Sequence, residues 1–161
     1  MRFSLIDRVV GIEGGETITA VKCVTLAEEY LADHFPKFPV LPGVLMLEAM
    51  TQTGAWLVRV REDFAHSMVV LQEARNIKYA DFVRPGQMLT ITAQLLKQDR
   101  RHTTLKADGQ VDQRVAVSAR LVLDRYNLAD EDPRRASTDE IIKREMRRLL
   151  ASLYSETRDE R

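Results

Sequence analysis

From residue 114 to 124 the chain alternates. Val115, Val117, Ala119, Leu121 and Leu123 share one parity, and Ser118, Arg120 and Asp124 share the other. That is the period-two pattern of a strand in a sheet with one wet face. Stretches near 67–78, 87–97 and 103–111 read as further strands, with turns at Asp99-Arg100-Arg101-His102 and Asp112-Gln113. Residues 3–12 and 16–25 form an earlier pair, whose Gly14-Gly15 turn supplies the positive φ of a tight hairpin. Cys23 alternates with apolar neighbours there, which predicts a half-buried strand thiol. Residues 27–33 predict a short helical turn, and 43–60 a helix. One early helix followed by a run of antiparallel strands predicts an α+β fold, a sheet curled over a buried helix.

The pattern changes near Asp130-Glu131-Asp132-Pro133-Arg134-Arg135, a charged linker. Ser137-Thr138-Asp139-Glu140 then reads as a capping box. Ile142, Met146, Leu149, Leu150 and Leu153 recur at helical spacing among Lys143, Arg144, Arg147 and Arg148. The tail is thus an amphipathic helix over 137–154, expected to dock on its own domain. Subunit contact and partner binding are the alternatives. The division expected is a domain at 1–130, and a linker plus helix at 131–161.

Between the first strands and the long helix lies His34-Phe35-Pro36-Lys37-Phe38-Pro39-Val40-Leu41-Pro42-Gly43. Pro36, Pro39 and Pro42 fix φ and bar regular structure, so the loop holds His34 in a defined place. The helix that follows is apolar on nearly all sides, which predicts burial, yet it carries Glu48. An ionised carboxylate inside it is costly unless paired, hydrogen-bonded or protonated. A structural ion pair or a helix-end position would answer that, and so would His34. Gln52, four residues on, shares Glu48's face and could orient the carboxyl.

Composition narrows the classes. At 161 residues the length fits one domain. Lys+Arg and Asp+Glu are both 24, so no net field points to nucleic acid or an acidic membrane. Lys97, Arg100 and Arg101 read as a solvated hairpin tip, with an acidic partner as the alternative. The single cysteine precludes an internal disulfide, and His34, His66 and His102 lack metal-ligand spacing. No phosphate-binding glycine motif, signal peptide or apolar membrane span is present, so a cytoplasmic protein is expected.

The run HFPKFPVLPGVLMLEAMTQ resembles the active-site segment of the 3-hydroxyacyl-[acyl-carrier-protein] dehydratases of dissociated fatty-acid synthesis. His34, Pro36, Pro39, Pro42, Gly43, Val44, Glu48, Ala49 and Gln52 all match that motif. Leu5-Ile6-Asp7-Arg8-Val9 resembles the family's first strand. Ala74-Arg75-Asn76-Ile77-Lys78-Tyr79, with Val83-Arg84-Pro85-Gly86, resembles a later strand and turn. The resemblance spans about residues 3–125.

It implies a hotdog fold and dehydration of a thioester carried by acyl carrier protein, with no cofactor or metal. It also implies a homodimer in which His34 of one subunit meets Glu48 of the other, with a trimer of dimers, a hexamer, as the further assembly. His34 and Glu48 would be catalytic, and Gly43, Val44 and Gln52 would bind substrate. Histidine suits removal of the C2 proton near neutrality, and burial would favour Glu48 as the acid. The first helical turn after Pro42 offers N–H groups to the thioester oxygen, and Gly43 permits its close approach. Lys37 and Asp33 stand where the family often has glycine, the leader before the first strand is nearly absent, and the tail is additional. Lys37, Asp33 and the tail leave open a non-catalytic acyl-carrier-binding subunit; a hotdog thioesterase, in which Glu48 would activate water, is the other alternative.

Overall fold

The computed structural model describes residues 3–35 and 37–154. Six strands form one antiparallel sheet: β1 (Arg8–Glu13), β2 (Thr17–Cys23), β3 (Met68–Tyr79), β4 (Met88–Gln98), β5 (His102–Val111) and β6 (Arg114–Tyr126). Their order across the sheet is β1-β2-β4-β5-β6-β3, which leaves β3 at an edge. A single turn, α1 (Tyr30–Asp33), precedes the proline loop, and the central helix α2 (Gly43–Arg61) lies against the sheet, touching β2 to β6. Apolar burial holds α2 there. Met46, Ala49, Met50, Leu57 and Val58 pack with Ile18, Leu89, Ile91, Leu105, Leu121 and Leu123 in one core. Helix and sheet approach tightly at Gly54, where a Cβ would meet Leu105 Cδ1 at 2.5 Å.

Gly14 and Gly15 adopt φ of 57° and 66° in the first hairpin, as expected of the turn. Three expectations about strands need correction. The first strand begins at Arg8, not near residue 3. Leu5 N–H donates to Gln52 Oε1 at 2.9 Å and the Phe3 carbonyl accepts from Gln52 Nε2 at 3.0 Å, so α2 takes the backbone groups a strand would have shared. Cys23 is exposed, because the inward parity of β2 runs through Ile18, Ala20 and Lys22. Val115 is 44% exposed. Gln110 pairs with Val115 and Gly109 with Val117, so Ala116 is an extra residue that reverses the parity.

The tail forms α3 (Ala136–Leu153), but without the capping box. The buried Asp139 side chain accepts instead from Ser67 Oγ (2.5 Å), Leu128 N–H (2.9 Å) and Ala129 N–H (2.9 Å). It ties the helix to the chain entering β3 and to the turn after β6. Leu153 is buried, and Met146, Leu149 and Leu150 pack on the core, so the helix docks on its own domain. Ile142 is only half-buried and stands outside that core contact. Arg147 clamps the end of α2. Its Nη1 lies 3.1 Å from Asp63 Oδ1, and its guanidinium stands 4.7 Å from the Phe64 ring centre. At the β4–β5 tip, Arg101 makes a two-point pair with Asp124, at 2.8 and 3.0 Å.

Candidate active site

His34 sits where α1 ends. Its backbone N–H donates to the Tyr30 carbonyl at 3.1 Å, and its ring stacks at a tilt on Phe35, 4.4 Å between centres. Phe35 takes φ of 49°, a left-handed conformation unusual for a bulky residue, and its carbonyl accepts the Phe38 N–H at 2.7 Å. Pro36 lies outside the described residues. Buried Lys22 pairs with Glu28 at 2.6 Å and approaches Asp7 at 3.7 Å, fixing the segment before α1 to β2 and to the residue that precedes β1. Burial, then the nearby Glu28 and Asp7 charges, push the Tyr30 hydroxyl upward from its ordinary pKa.

The half-buried His34 opens into a cavity of about 390 Å³ that Gly43, Met46, Tyr79, Asp81 and Phe82 also line. At its edge Phe38 and Phe82 meet edge to face at 5.4 Å, and Arg84 lies 5.1 Å from the Phe38 ring centre. Pro42 precedes α2 and offers no side-chain cap, so first-turn N–H groups at Gly43 and Val44 have no intrahelical acceptor. Gly43 also has a packing role. A Cβ there would meet Tyr79 Cε1 at 3.0 Å, so the missing side chain admits the Tyr79 ring. Val44 is 69% exposed. Asp81 and Phe82 escaped the sequence reading, and Tyr79 entered it only as part of a strand. The available signal was an aromatic at the end of β3, then an acid and a second aromatic in the short connector before Arg84-Pro85-Gly86.

Glu48 lies elsewhere. It is half-buried, so one chain alone does not enclose the carboxyl as the apolar helix predicted. Gln52 Nε2 donates to Glu48 Oε1 at 2.9 Å. The Gln52 amide can face only this way, because the Leu5 N–H needs its oxygen. Glu48 is not among the residues around the histidine's cavity, and no hydrogen bond or ion pair joins it to His34 among the described residues. The helical period explains the separation. Gly43, Met46 and Met50 form one face of α2; Glu48, Gln52, Ala55 and Arg59 form another. Lys37 and Asp33 are both exposed.

No cluster of three metal-ligating side chains occurs among the described residues. No helix there is long and apolar enough to cross a membrane.

The solved structures with this architecture include a dehydratase heterocomplex from Xenorhabdus doucetiae. It is 20% identical with a TM-score of 0.64, and the match covers 78% of this chain and 85% of that one. A thioesterase from Pseudomonas aeruginosa matches at 19% identity and a TM-score of 0.60, over 74% of this chain and 80% of that one. Both likenesses concern the hotdog fold alone. In sequence, the chain is 37% identical over 115 residues to the 3-hydroxyacyl-[acyl-carrier-protein] dehydratase FabZ of Levilactobacillus brevis, covering 71% of this chain and 78% of that protein. It is 36% identical over 132 residues to FabZ of Janthinobacterium sp. (strain Marseille), covering 80% and 85% respectively. A family model described as a FabA-like domain matches residues 1–120, so the chain belongs to the FabA-like family.

Proposed function

We propose that this protein dehydrates 3-hydroxyacyl thioesters on acyl carrier protein to trans-2-enoyl thioesters, with His34 of one subunit and Glu48 of its partner acting on one substrate. The observation that carries the two-subunit reading is the placement of His34 and Glu48 off different faces of α2 in one chain, each still accessible. A homodimer would let each complete the other's site. Edge strand β3 supports that assembly, with Ile77 and Tyr79 exposed and no strand on its outer side among the described residues. A trimer of dimers extends the same proposal, as does a cytoplasmic setting beside the carrier protein.

His34 takes the C2 proton as the C2–C3 double bond forms and the C3–O bond breaks. Protonated Glu48 donates to the departing hydroxyl, which leaves as water. Return of the proton from His34 to Glu48, through solvent, restores both groups. Gly43 and Val44 N–H groups, at the positive end of α2, receive the charge that develops on the thioester oxygen. Gln52 positions Glu48 and is not itself catalytic. We assign residues 1–130 to the dehydratase unit and 131–161 to an added linker and helix.

The test is hydration of a trans-2-enoyl thioester on acyl carrier protein, followed by loss of enoyl absorbance. Formation of the 3-hydroxyacyl product is the expected result. Release of free thiol without hydration would make the protein a thioesterase. Carrier binding with neither reaction would make it a non-catalytic subunit.

A further inference from the structure

The other face of α2 borders a second cavity, of about 320 Å³. Ala55, Trp56 and Val69 line it, together with Met146 and Leu149 of the added helix. Gln52 and Arg59 are among its polar groups, seven residues apart, which is about 10 Å along a helix. Gln52 is the residue that holds Glu48, so the cavity starts beside the carboxylate assigned to the chemistry. From Glu48 to Arg59 is about 16 Å along the same face.

Arg59 is the unusual group here. Its Nη1 donates to the carbonyls of His66 (3.3 Å) and Ser67 (3.1 Å). Nε and Nη2 have no acceptor, and no carboxylate pairs with the guanidinium, among the described residues. Burial pulls its pKa down to about 10, which still leaves a cation at neutral pH. The residue is half-buried and lines the cavity with no counterion among the described residues. The unused Nε–Nη2 edge is a side of the fork that binds a carboxylate through two parallel hydrogen bonds.

We infer that this cavity receives the far end of the acyl chain and that Arg59 recognises a carboxylate there, so that the substrates are 3-hydroxyacyl thioesters bearing a distal carboxyl group. This rests on the dehydratase reading above. The apolar walls of Ala55, Trp56, Val69, Met146 and Leu149 bury the methylenes before the guanidinium. The added helix thereby becomes part of the substrate site.

The experiment uses the full chain and pairs of trans-2-enoyl thioesters on acyl carrier protein. Each pair has one chain length, with a methyl or a carboxyl at the far end. At one length or more, wild type should hydrate the carboxyl-ended partner with kcat/KM at least about tenfold higher. In Arg59→Met the ratio should fall to about one, and Arg59→Lys should keep part of it. Equal or better turnover of the methyl-ended partner by wild type at every length overturns the inference and leaves the dehydratase reading standing. Hydration of neither overturns that reading itself. An equal loss on both substrates in Arg59→Met makes the residue a structural staple for His66 and Ser67, which also overturns the inference. Should Arg59→Met not fold, wild type decides alone. Unreactive saturated thioesters with a carboxyl end must then inhibit at least about tenfold more strongly than methyl-ended ones.

Discussion

Gln52 joins Glu48 to the start of the chain: its Nε2 donates to Glu48 Oε1 at 2.9 Å, while its Oε1 accepts the Leu5 N–H at 2.9 Å. The Phe3–Leu5 backbone is thereby a brace for the proposed acid. Gln52→Ala removes the brace and leaves the carboxyl free to rotate. We expect kcat to fall by at least about tenfold, with a smaller change in KM, because geometry is lost and substrate contact is not. Steady-state hydration kinetics on a variant of unchanged melting temperature tests this. An equal loss through KM alone would place Gln52 against the substrate instead.

His34→Ala and Glu48→Gln should each lose at least about a hundredfold in rate, the low end of general acid–base contributions. Mixed after subunit exchange, the two inactive variants should recover part of the wild-type rate, since some mixed dimers own one intact site. No recovery, with exchange proven by mass, would put both groups in one chain's site.

Asp139 should make the docking of α3 sensitive to acid. Burial raises its pKa, but the Ser67 hydroxyl and the Ala129 and Leu128 N–H groups outweigh that and hold it below the ordinary aspartate value. A depressed folded-state pKa gives stability that is fully present above the unfolded value of about 3.9 and is lost as pH falls through the folded value. Melting temperature should therefore drop across that acid window in wild type, and less steeply in Asp139→Asn. At neutral pH, Asp139→Ala should cost about 1–3 kcal/mol, because two amides and a hydroxyl lose their acceptor. A wild-type profile no steeper than that of Asp139→Asn would remove Asp139 from the account.

Gly54→Ala tests the tight packing of helix on sheet. The new methyl would stand 2.5 Å from Leu105 Cδ1, and Leu105 is fully buried. Overpacking of this kind costs about 1–3 kcal/mol. Urea unfolding should show a lower midpoint with an unchanged slope. An unchanged midpoint would mean that Leu105 has room to move.

Deletion after Asp130 removes Asp139, Met146, Leu149 and Leu153 at once and uncovers the apolar side of the second cavity. We expect a lower melting temperature or a changed mass in solution, with His34 and Glu48 still in place. Unchanged values for both would show that the helix contributes nothing to the fold.

Local pattern alone determined much of this protein. Alternation marked β3 to β6 to within two residues at each end, because each strand has a core side and a solvent side. The interval from Gly43 to the charged end of α2 was equally legible, since the proline loop ends at Pro42 and a nearly unbroken apolar run follows it. The motif from His34 to Gln52 named its family for the same reason: its residues are close in sequence.

What depended on distant partners was not legible. Val115 faces solvent because one extra residue, Ala116, enters the pairing with β5, and parity within a strand cannot reveal its neighbour's register. Asp139 has a helix-capping sequence but bonds to Ser67, Leu128 and Ala129, which lie 72, 11 and 10 residues away. Arg59 reads as one more charge at a helix end until the fold turns it toward a cavity that α3 helps to line. Periodicity reports which face of an element is covered. Only the packed chain decides what covers it, because burial energy is set by area and indifferent to sequence distance.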